Sequence, residues 1–194
     1  SGTLNSDNKY SLKQNSITYD GDGITNHSGS LARTNVCSIC TYAHWGYWNA
    51  NITSAGQADV VNSLPFVVGQ LTGNFQNAMG STGTAKYTGT ALGSILNTGT
   101  NAVASHTGNI TASIDIANKK ISSFVLNLST YTLSATSGAI DPATSTFTGV
   151  GITGVGASGT TNGALFGPQG QNIGGNFNFT ATGVEATGVY LGKK

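Results

Sequence analysis

Within the seven residues from Tyr42 to Trp48 stand Tyr42, His44, Trp45, Tyr47 and Trp48. A histidine or tyrosine can hold haem iron as an axial ligand, and flat aromatic groups suit the face of a porphyrin. His106, in the polar loop "ASHTGN", could supply a second ligand; His27 and Met79, also expected in loops, are weaker candidates. The plainer reading makes His44 a hydrogen-bonded strand residue in an aromatic cluster, and that reading is preferred. It leaves His44, His106, Tyr42 and Trp48 as the ligand-binding candidates. Haem is the one cofactor they suggest; otherwise none is expected.

Just before that cluster lies "CSIC", with Cys37 and Cys40. In an exported protein two such cysteines close a small disulfide loop. A redox pair would sit at a helix start beside a βαβ unit, and no such pattern surrounds them. A zinc site needs four ligands, and His27, His44 and His106 fall at no recognisable spacing. A disulfide is therefore the expectation and a metal site is not.

Other chemistry-bearing patterns fail on their surroundings. "GVGITG" (Gly149 to Gly154) and "GVGASG" (Gly154 to Gly159) match G-x-G-x-x-G. A dinucleotide site needs a strand before that motif and a helix after it; here strands follow, and 28 glycines make chance matches common. "DGDG", Asp20 to Gly23, resembles the start of a calcium loop, but Ile24 and Leu31 occupy the fifth and twelfth positions, where oxygen ligands are required. A tight turn explains it better. The seven carboxylates are scattered, and none forms the paired arrangement that acid–base chemistry uses. No enzyme is expected.

The elements that must position these residues are strands. Only 8% of the chain is charged, against about 25% in ordinary soluble proteins. Thr, Val, Ile and aromatic residues fit a pleated sheet, Gly and Asn fit turns, and strong helix formers are scarce. A length of 194 residues suits one domain with or without an appendage. The net charge of +1, with no basic stripe, argues against nucleic acid. No apolar run is long enough for a membrane-spanning helix. The polar opening "SGTLNSDNKY" is read as the start of a mature form from which an export signal has been removed.

Alternation places the strands. Residues 1–36 are polar and irregular, with one weak hairpin. Thr41 to Ile52 is the first convincing strand, aromatic on both faces. Pro65 suggests a loop or short edge strand. Strands then follow at Thr84 to Leu96, on both sides of "ANKK", at "YTLSA", Ser145 to Val155, "TTNGALFG", "NIGGNFNFTA" and "EATGVYLG". Helical periodicity is absent. Eight or nine short antiparallel strands at this spacing predict a barrel or sandwich.

The closing stretch carries a resemblance. Phe166-Gly167-Pro168, Ile173-Gly174-Gly175 and the terminal Gly188-Val189-Tyr190-Leu191-Gly192-Lys193-Lys194 resemble the last strands of the transferrin-binding-protein-B-like β-barrel family. "HWGYW", His44 to Trp48, is similar to a "WGxW" first strand seen in bacterial members. The resemblance covers roughly residues 37–194. It implies an all-β fold, an eight-stranded antiparallel up-and-down barrel at 37–194, with a small N-terminal handle or extension at 1–36. It implies a binding protein at the bacterial cell surface or secreted, of the kind that takes haem, iron proteins or other surface ligands. The partner expected is therefore a small ligand or a host protein. The alternative is self-association, as a subunit of an extracellular filament or surface layer that adds its N-terminal segment to a neighbour's sheet.

Overall fold

The computed structural model describes the backbone of residues 3–4, 10–11, 32–33, 42–54 and 57–194, and the side chains of residues 42–45 and 65–194. The chain divides into two compact units, Ser1–Val36 with Gly46–Phe66, and Cys37–Trp45 with Val67–Lys194.

In the first unit, β1 (Thr3–Leu4) pairs antiparallel with β2 (Tyr10–Ser11). The short β3 (Ala32–Arg33) pairs with β4 (Ala43–Ser54), of which Gly46 onward belongs to this unit, and the register places Arg33 opposite Trp48. The far edge of that sheet is β5 (Gln57–Gly69). Pro65 thus lies in a strand of 13 residues, longer than the sequence led one to expect. An edge strand tolerates proline because its outer side need not donate to a further strand.

The second unit is the barrel. One short helix, α1 (Phe75–Met79), precedes β6 (Thr84–Asn97), β7 (Ala102–Asp115), β8 (Lys120–Leu128), β9 (Tyr131–Ala135), β10 (Gly138–Ala139), β11 (Thr146–Gly154), β12 (Ala157–Phe166), β13 (Asn172–Ala181) and β14 (Val184–Lys193). Consecutive long strands pair antiparallel, β14 returns to β6, and β8 with β9 completes the ring. The result is the expected closed up-and-down barrel of eight strands, with the two-residue β10 added beside β8.

The alternation read from the sequence decides what faces inward. Ile110, Ala112 and Ile114 on β7, Phe124, Leu126 and Leu128 on β8, and Ile173, Phe177 and Phe179 on β13 are buried in one core. Hairpins join neighbours through turns such as Val155-Gly156 and Thr182-Gly183. Their second residues have φ of +68° and +69°, where glycine is strain-free.

Register fixes the geometry of the ring. Leu96 faces Glu185, then Thr180, Ser158, Thr153, Ser134, Val125, Thr111 and finally Thr88. A circuit begun at Leu96 thus returns to the same strand eight residues away. Eight strands with a shear of eight tilt by roughly 36° and leave an interior that side chains can fill.

Two expectations need correction. Helix is not absent: α1 forms one turn, where the Asn74 side chain accepts from the Asn77 N–H at 3.1 Å. Phe75, fully buried, anchors it to the core, so packing makes a helix that periodicity over five residues could not announce. The segment before Asn109 is not a polar loop either: β7 begins at Ala102 and carries His106 opposite Gly93. Hairpin pairing to β6 imposes strand on residues with no apolar alternation of their own.

Candidate functional site

An eight-stranded barrel either holds a ligand or fills itself, and this one is filled. The Phe124 and Tyr190 rings sit 5.2 Å apart, those of Phe177 and Phe179 6.3 Å apart, and Tyr131 closes on Phe179 at 5.2 Å. Thr161, wholly buried, donates to the Asn176 carbonyl at 2.8 Å and lies 3.0 Å from Tyr190 Oη. Space for these rings comes from glycine: a Cβ at Gly188 would stand 2.4 Å from Phe177 Cζ and collide with the Leu92 carbonyl oxygen.

One end of the barrel is plugged. Phe75 N–H donates to the Pro142 carbonyl at 2.9 Å, and Ser145 Oγ donates to the Gly73 carbonyl at 2.6 Å. The Phe166–Asn172 connection folds over the same end. Its Gly170 carbonyl accepts from the Tyr87 hydroxyl at 2.7 Å, and Met79 packs against the core beneath it. Burial pushes the phenols of Tyr87 and Tyr190 well above the ordinary tyrosine range, so both stay neutral. All five lysines with described side chains, Lys86, Lys119, Lys120, Lys193 and Lys194, lie at or near this end.

Carboxylates here are structural. Asp115 accepts from the Asn118 side chain at 2.8 Å and its N–H at 3.1 Å, which holds its carboxyl below the usual range. Asp141 is held low in the same way, by the Ala143 N–H at 2.8 Å and the Thr144 hydroxyl at 2.9 Å. Each staples a turn.

The opposite end is an open rim, formed by the turns at 98–101, 129–130, 155–156 and 182–183. Glu185 is the charged residue nearest to it among the described side chains, while Val155 is fully exposed and Val103 is 66% exposed. The rim is uneven. β7 pairs with β6 along its whole length but with β8 only from Asn109 onward, with Gly108 still against Leu128, so its Ala102–Thr107 stretch rises above the neighbouring wall. On the outer wall just below, an open groove of about 330 Å³ is lined by Ser94, Leu96, Asn178, Thr180, Glu185 and Thr187, with no imidazole or thiol.

Tyr42 and His106 lie at different ends of the barrel. Tyr42 is half-buried at the plugged end: its carbonyl accepts from the Gln70 N–H at 2.9 Å, and its ring lies against Gly167. His106 stands toward the open rim, opposite Gly93. The five residue steps of β6 from Thr88 to Gly93 span roughly 17 Å. His44 is half-buried at the start of β4, and Trp48 is in that strand with its side chain outside the described residues. Met79 is a helix residue packed on the barrel core, not a loop ligand. Cys37, Cys40, His27, Asp20 and Asp22 lie outside the described residues. Among the described residues no three His, Cys, Asp or Glu side chains gather as a metal site would require. Sequence reasoning passed over the free stretch of β7; its faint signal was the lack of any strand breaker between Ala102 and Thr107.

Comparison with known proteins agrees with this architecture. No curated protein matches the chain. Among solved structures, the isotype 1 transferrin binding protein B of serogroup B Neisseria meningitidis superposes with a TM-score of 0.58 at 19% identity, covering 94% of this chain. The match takes in 36% of that protein, so the chain spans about a third of its length. A transferrin binding protein B variant from Actinobacillus pleuropneumoniae H49 gives 0.56 at 15% identity, over 99% of this chain and 96% of the other. A structure described as a surface lipoprotein gives 0.54 at 14%, over 97% and 94%. The sequence profile of one family, described as the C-lobe and N-lobe beta barrels of Tf-binding protein B, matches residues 79–194, which take in all eight strands of the closed ring. The chain belongs to that family of transferrin-binding-protein-B barrels.

Proposed function

We propose that this chain is a non-enzymatic binding module, exposed at a bacterial surface or secreted, that takes a host protein of the transferrin class on the open rim of its barrel. The observation that carries this reading is the filled interior: Tyr190, Phe124, Phe177 and Phe179 occupy the space where a barrel would hold a small ligand. Recognition is then left to the outside, and loops on a rigid scaffold are where binding concentrates. The plugged end is occupied by its own interlocking turns, whereas the rim presents Val103 and Val155 to solvent. Exposed apolar side chains of this kind suit a protein partner.

Solved relatives named as transferrin binding protein B and as a surface lipoprotein support the partner class and the location. Interferometry with the immobilised full chain tests the reading. Iron-loaded transferrin is expected to bind saturably. Saturable uptake of a small apolar ligand quenching the core aromatics, with no transferrin bound, would overturn it.

A further inference from the structure

The free stretch of β7 points to how a partner is held, an inference that rests on the protein-binding reading above. β7 has β6 on one side throughout, but from Ala102 to Thr107 no strand among the described residues lies on the other. The cause is the stagger that closes the ring. From β6 through β14, β13 and β12 to β11 the strand ends keep level, Asn97 with Val184, Ala181 with Ala157, and then Gly154. Most of the eight-residue offset is therefore taken in a single step, where β8 stops at Leu128 and turns through Ser129 into β9.

Successive residues of a strand aim their N–H and C=O groups to alternate sides. About half of Ala102–Thr107 therefore presents an unpaired donor and acceptor to the notch above β8. Solvent reaches them: residues 102–105 and Thr107 are exposed, and His106 is half-buried. Monomeric proteins usually blunt such an edge with lysine, proline, a bulge or an inward charge. The sequence Ala-Val-Ala-Ser-His-Thr has no lysine, proline or carboxylate, and its pairing with β6 is unbroken.

We propose that this edge accepts an extended, uncharged segment of the protein partner as an added strand, antiparallel to β7 and in line with β8. Backbone hydrogen bonds supply the attachment, as in other strand additions. Selectivity follows from the facing side chains. Val103 and Ala104 disfavour a charge opposite them, because desolvating it would go uncompensated, and a proline at a bonding position would forfeit a donor. A second copy of this chain fits less well. Two-fold pairing centred on Ser105 would set one copy's Ala102 beside the other's Gly108, driving its 98–101 turn into Leu128 and Ser129.

Amide hydrogen exchange on the isotope-labelled full chain tests this, with a capped peptide of alternating Thr and Val, about eight residues long, as the probe. Millimolar peptide is expected to slow exchange at alternate residues of 102–107 by about tenfold and to leave Asn178 to Thr180 in the outer groove unchanged. The same peptide N-methylated at every second residue is expected to do nothing. Unchanged exchange at 102–107, or slowing confined to other residues, overturns the proposal. Slowing that depends on protein concentration without peptide also overturns it, in favour of self-pairing. Because the peptide stands in for the partner, its failure leaves transferrin binding untouched, and failure of transferrin to bind leaves the edge measurement intact.

Discussion

Leu96 and Thr88 lie eight residues apart on β6, yet stepping from partner to partner around the barrel leads from one to the other. That offset sets the strand tilt and the narrow, filled interior, and it leaves the step in the rim above β8. A packed core and an unpaired edge thus have one geometric origin.

The core prediction concerns Thr161. Thr161→Val keeps the shape but removes the donor to the Asn176 carbonyl and the neighbour of Tyr190 Oη. A buried acceptor left unsatisfied costs about 1–3 kcal/mol. Urea unfolding should show a lower midpoint with an unchanged slope.

Gly188→Ala should be worse than an ordinary surface glycine change. The added methyl meets Phe177 and the Leu92 backbone oxygen at once, and backbone cannot swing aside. Overpacking of this kind costs about 1–3 kcal/mol or more. Gly151→Ala, where a Cβ meets nothing within 4 Å, is the control and should unfold near the parent midpoint.

Alkaline pH should weaken the fold. Tyr87 and Tyr190 ionise near 10.0 when unfolded and higher when folded. Their contribution is complete below pH 10 and is lost as pH rises above it, because only the unfolded chain then releases their protons. Each lowers stability by about 1.4 kcal/mol per pH unit in that window. Unfolding midpoints from pH 8 to 11 should fall above 10, and Tyr190→Phe should roughly halve the slope.

Much of this fold was legible because alternation is a strong signal where one face is buried. Ile110, Ala112 and Ile114 announced β7, and Phe177 and Phe179 announced β13. Ala102–Thr107 was read as loop because neither of its faces is buried, so nothing selected an apolar alternation. α1 escaped notice because a single turn is made by its cap and by Phe75, not by a period. The turn between Phe166 and Asn172 was recognisable from its glycines and proline, but its service to Tyr87 depends on a residue 83 positions earlier. The aromatic cluster around His44 drew attention by chemistry, yet sequence proximity says nothing of what the fold brings near. Tyr42 and His106 fall at different ends of the barrel.

Phe75→Ala should loosen the plugged end. The ring is fully buried in the barrel core, and deleting a buried phenylalanine side chain costs about 3–5 kcal/mol. Exchange should quicken first at the Tyr87–Gly170 end, with the rim hairpin of β6 and β7 less affected.

The most direct test is where a protein partner lands. Iron-loaded transferrin binding would be measured for the full chain, for Val103→Asp with Val155→Asp at the open rim, and for Lys193→Glu with Lys194→Glu at the plugged end. All are exposed positions, so each variant should fold like the parent. Binding through the rim predicts a loss of at least about tenfold for the valine pair, or roughly 1.4 kcal/mol, and little change for the lysine pair. Unchanged binding by the valine pair, with loss in the lysine pair, would contradict it.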